Sequence, residues 1–150
     1  MLEIENSSID IQKAAVVVGL SDNDIRSLVN RERLFPGMKQ RHGLPLSFTI
    51  QRLFSLSAVK ALIDLGFSIR AACDAIKVCR VYGNLLEGRV SSIAVDHEGR
   101  LAAFDGPDVA GSIRIRPWAL AKEMRPGLIE AFGEDAVTEW NAALEQLHGD

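Results

Sequence analysis

The sequence predicts an α+β fold: a mainly helical first half followed by a small α+β lobe. Three observations predict it. Between Asp10 and Arg80, behind polar capping residues, apolar residues recur at three- and four-residue spacing, as on amphipathic helices. After Tyr82-Gly83-Asn84 the spacing shortens to two, the period of strands, and returns to helical spacing only later. The charge is divided as well. Residues 26–80 hold ten basic side chains against three acidic ones, a balance of +7, and residues 81–150 hold six against twelve, a balance of −6, in a chain of formal charge −3. Two units are expected on these grounds, residues 9–82 and residues 88–150, since 150 residues suffice for one good core or two small ones.

Taken in order, Met1 to Ser8 is polar and without pattern, as a mobile tail would be. Asp10 then caps a helix from Ile11 to Val18, with Ile11, Ala14, Ala15 and Val18 on one face and Gly19 in the left-handed position that ends helices. Ser21 caps a second helix, residues 21–33, and Asp24 stands three positions on, where an acidic side chain reaches back toward the cap. Its apolar residues Ile25, Leu28 and Val29 make an inner stripe, leaving Asn23, Arg26, Ser27, Asn30 and Arg33 facing outward. Two short helices joined by Gly19-Leu20-Ser21 form a helix-turn-helix pattern, whose second helix enters the major groove in DNA-binding proteins. The outward residues suit that task, because Arg makes forked contacts to guanine or phosphate and Asn reads adenine. A helical hairpin that never touches DNA gives the same pattern.

The segment 35–47 follows, with Pro36, Gly37, Gly43 and Pro45 around the basic run Lys39-Gln40-Arg41-His42. This composition suits a projecting loop or short hairpin, a wing able to lie along a phosphate backbone. Thr49 caps a long helix from Ile50 to about Leu65, apolar on most sides and therefore central. Gly66 closes it, and Ser68 caps a helix from Ile69 to about Val81.

The stretch IDIQKAAVVVGLSDNDIRSLVNRERLFP, the basic wing, and FTIQRLFSLSAVKALIDLGFSIRAACDAI together resemble the DNA-binding domain of MerR-type winged helix-turn-helix proteins. The likeness rests on Ala-Ala before Gly-Leu-Ser, the Ile25-Arg26 pair, Leu-Phe-Pro leading into the wing, Phe-Thr opening the third helix and Leu-Gly-Phe-Ser before the fourth. It covers about half the chain. The resemblance implies a recognition role for Arg26, wing contacts from Lys39, Arg41 and His42, and a phosphate contact from Arg52. Two positions depart from the family: Pro45-Leu46-Ser47 stands where an arginine usually precedes the aromatic residue, and Ser27-Leu28 follows where an aromatic residue is usual.

In the second half, strands are expected over Val90 to Val95, Arg100 to Phe104 and Ser112 to Arg116, the first two joined by a turn at Asp96-His97-Glu98-Gly99. Pro117 opens a helix to about Glu123 and Pro126 another to Phe132. The last helix, Glu134 to His148, carries Val137, Trp140, Leu144 and Leu147 at coiled-coil spacing, but it is too short for that claim, and packing on the small sheet is expected. Trp118, Phe104 and Trp140 read as core rather than as a ligand pocket.

Enzyme chemistry has little to stand on. Gly-rich phosphate loops, nucleophile elbows and Cys/His arrangements are missing from the sequence, and the trio Asp96-His97-Glu98 sits in an expected turn. Cys73 and Cys79 leave a helix at different angles, and His42, His97 and His148 lack ligand spacing, so no metal or other cofactor is expected. With neither a signal peptide nor an apolar run of membrane-spanning length, a cytoplasmic address is expected. The expected partner is double-stranded DNA, bound by a transcription regulator of bacterial or phage type that forms a homodimer, with the acidic lobe taking a protein partner or small effector. The alternatives are a phage or recombination accessory protein and a protein-interaction module on the same fold.

Overall fold

The computed structural model describes residues 2–38, 45–96, 98–102 and 109–148, and its fold is α+β. The first half contains β1 (Ser8–Asp10), α1 (Ile11–Val18), α2 (Asp22–Asn30), β2 (Ser47–Thr49), α3 (Ile50–Asp64), α4 (Ile69–Lys77) and α5 (Val81–Leu86). The second contains β3 (Ser91–Asp96), β4 (Leu101–Ala102), β5 (Val109–Ile115), α6 (Pro117–Phe132) and α7 (Glu134–His148). β1 and β2 form an antiparallel ladder that pairs Ile9 with Phe48, and β3 lies between β4 and β5 in a second antiparallel sheet. No helix among the described residues is long and apolar enough to cross a membrane.

Local chemistry accounts for the helix starts. Asp10 Oδ1 accepts from the Lys13 amide at 2.9 Å, Ser21 Oγ from Asp24 at 3.1 Å, Thr49 Oγ1 from Arg52 at 3.4 Å and Ser68 Oγ from Ala71 at 3.1 Å. Each cap satisfies an amide that the first helical turn leaves without a partner. Gly19 ends α1 at φ 74°, a conformation that costs a residue with a Cβ about 1 kcal/mol or more. The antiparallel ladder pairs Asp10 with Ser47 and Ser8 with Thr49, so α1 and α3 leave one pair of strands from its opposite ends.

Several expectations are corrected. The amino-terminal segment is no tail: Glu3–Asn6 forms a 3-10 turn whose Ile4 is fully buried. A single apolar residue between Glu3 and Glu5 has no period to reveal it. The second helix ends at Asn30 instead of Arg33, because the Arg31 and Glu32 amides both bond Ser27 O and the Leu34 amide bonds Leu28 O at 2.9 Å. The helix expected from Ile69 to Val81 is two, broken at Val78 to Arg80, and Tyr82-Gly83-Asn84 lies inside α5. The two helices expected after Pro117 are one, with Pro126 in its interior.

α7 packs on α6, α5 and the 3-10 turn instead of the sheet. Trp140, fully buried, donates from Nε1 to Tyr82 Oη at 3.2 Å, and its ring lies 6.1 Å from that of Phe54 on α3. Against α1, α6 comes so close that a Cβ on Gly127 would lie 2.7 Å from Val17 Cα. Buried residues of both halves, from Ile4 through Phe54 and Tyr82 to Leu128 and Leu144, thus belong to one continuous apolar cluster.

Candidate nucleic-acid interface

α1 and α2, joined by Gly19-Leu20-Ser21, form a short helical hairpin. Ile25, Leu28 and Val29 are buried, which pins α2 against the core and turns its other face to solvent. On that face Asn23 and Asn30 are exposed, and Arg26 and Ser27 are half-buried. Arg33 lies beyond the helix, exposed, at φ 52°. Asp22 and Asp24 occupy the first turn, where carboxylates favour the helix but oppose a phosphate.

Arg52, near the start of α3, is half-buried. Its Nη1 donates to Ser47 O at 3.0 Å, and its guanidinium lies 5.9 Å from the Phe35 ring centroid, so it ties the descending end of the segment 35–47 to its ascending end. The resemblance implies a phosphate contact for Arg52; within the fold the residue braces the root of that segment. Phe35, the other half of the brace, carries no signal in the sequence because its partner is distant along the chain. Lys39, Arg41 and His42 lie outside the described residues.

The structure also sorts the basic residues of this half. Lys60 pairs with Asp64 at 2.9 Å, Arg70 with Glu32 at 3.8 Å, Lys77 with Asp74 at 3.5 Å and Arg80 with Glu87 at 3.9 Å. Arg31 and Arg33 form no ion pair among the described residues. Uncompensated positive charge is therefore placed at the end of α2, next to the chain that leads to Lys39 and Arg41.

Asp96 is spent on its own turn: Oδ1 accepts from the Glu98 and Arg100 amides at 2.9 and 2.8 Å, and Oδ2 from Arg100 Nε at 3.0 Å. The Arg100 amide bond, with that from Glu98 and the guanidinium, holds the Asp96 carboxyl below its ordinary range. His97 and Phe104 lie outside the described residues. Trp118 is half-buried and stacks on His148 at 5.2 Å, and His148 Nε2 lies 2.7 Å from Leu85 O, which fastens the last turn of α7. Both cysteines are free thiols, Cys73 buried and Cys79 half-buried. Among the described residues no group of His, Cys, Asp or Glu is arranged to hold a metal ion.

Comparison with protein-family models and with curated proteins gives no match to this chain.

Proposed function

We propose that the chain binds duplex DNA as a regulator, with α2 in the major groove and the segment 35–47 along the backbone as a wing. The observation that carries this reading is the presentation of α2: a three-residue turn after α1, a buried inner stripe, and Asn23, Arg26, Ser27 and Asn30 on the opposite face. The Arg52 brace and the β1–β2 ladder root the basic segment beside it. The resemblance to MerR-type domains agrees with that order of parts.

A gel-shift selection from a random duplex pool tests it. A preferred sequence should emerge, and the log of its affinity should fall with log salt by about 0.9 per phosphate contact. Arg26→Ala together with Arg41→Ala should weaken binding more than about tenfold and flatten that slope. Unchanged binding in the double variant would sink the assignment. Asp22 and Asp24 in the leading turn of α2 favour a second reading, a protein-interaction module. Absence of any retarded duplex at low salt would support that reading instead.

A further inference from the structure

We infer that the cleft at the root of the basic segment binds a small organic anion with an apolar body, of the aryl or alkyl carboxylate class. The cleft, a cavity of about 480 Å³, lies between the end of α2, residues 35–38 and the end of α4, and its size falls within the range of small-molecule sites. Its walls are of two kinds. Val29, Phe35, Pro36 and Met38 supply apolar surface, and Asn30, Arg33 and Lys77 supply an amide and two cations. Such a lining discriminates against inorganic phosphate, which would leave the apolar wall wet, and against neutral hydrocarbons, which would strip water from the cations without replacing it.

Three observations point to the anion. Arg33 forms no ion pair among the described residues. It is also the one non-glycine residue among them with positive φ, at 52°, so a strained backbone position carries the guanidinium at the cleft. Among the described residues Lys77 pairs with Asp74 alone, at 3.5 Å and exposed, an interaction of small worth that a ligand carboxylate can displace. The ends of α2 and α4 each oppose an anion with about half a negative charge, and the two cations outweigh them. A guanidinium grips a carboxylate through paired hydrogen bonds, and the ring of Phe35 and the Met38 thioether accommodate the body.

The inference does not rest on duplex binding, and its test contains no DNA. The full chain, ¹⁵N-labelled, is titrated with 4-phenylbutyrate and, separately, with its neutral counterpart 4-phenylbutanamide. We expect saturable shifts at the amides of Val29, Phe35 and Met38, with the neutral probe weaker by about tenfold or more. Arg33→Gly and Lys77→Gln should each weaken the carboxylate by about five- to tenfold. Glycine suits the backbone at position 33, so loss of binding there is not loss of fold. Equal binding of the two probes, carboxylate affinity unchanged in both variants, or no saturable shift would each overturn the inference.

Discussion

Arg33 follows α2 in the conformation that glycine adopts most cheaply, with the Leu34 amide already bonded to Leu28 O at 2.9 Å to close the helix end. Replacing it with Gly removes a left-handed penalty of about 1–2 kcal/mol but loosens the unfolded chain by roughly 0.4–1 kcal/mol. Arg33→Gly should therefore raise stability by roughly 0.5–1 kcal/mol in urea denaturation. An unchanged midpoint would mean that the backbone stores no strain there. Cys73 offers a second check. Burial, reinforced by the Glu32 carboxylate, pushes its thiol from 9.0 up to about 11. The folded state then holds the proton more tightly, so its contribution is complete below pH 9 and is lost as pH rises through about 11. Relative to Cys73→Ala, the natural chain should lose on the order of 3 kcal/mol across that window. Parallel stability curves would show that the thiol is not shielded. At this scale the sequence is read well where the cause is local: Asp10, Ser21, Thr49 and Ser68 all cap as their spacing predicts. The contact of Arg52 with Phe35 was not legible, because Phe35 is distant in sequence and only the fold brings the two together.

At the scale of elements, α6 shows why punctuation misleads. Pro126 looks like a helix start, yet α6 continues through it, since burial of Leu120, Ala121, Met124 and Leu128 outweighs the roughly 3 kcal/mol that an interior proline costs. The adjacent Gly127 has a different purpose. It lets the backbone of α6 approach that of α1, where an added Cβ would sit 2.7 Å from Val17 Cα. Gly127→Ala should therefore destabilise by about 1–3 kcal/mol, although alanine is the better helix former by about 1 kcal/mol. A stabilised variant in thermal denaturation would refute the close approach. The break between α4 and α5 is the converse case. Neither Gly nor Pro marks Val78 to Arg80, and the chain turns there so that Val81, Tyr82 and Leu85 reach the core. That cause is tertiary, and periodicity along one segment cannot carry it.

For the whole molecule, the division of charge was legible and the sharing of the core was not. A boundary after residue 82 follows from composition, but composition is silent on which faces meet. Tyr82 is covered by Trp140, Phe54 touches both rings, and Val17 is covered by Gly127 of the acidic half. A chain ended after Gly88 would lose α6 and α7 and leave these side chains facing water. Uncovering apolar surface costs about 25 cal/mol per Å², and one lost tryptophan in a core costs about 3–5 kcal/mol, comparable to much of a small domain's stability. We expect residues 1–88 to retain helix by far-ultraviolet circular dichroism but to melt without cooperativity, and Trp140→Ala in the full chain to lose about 3–5 kcal/mol. A sharp melt of the fragment, together with a near-neutral Trp140→Ala, would restore two independent units. If the fragment instead loosens, the proposed duplex binding should weaken with its structure, because α2 is held in place by a core that both halves build.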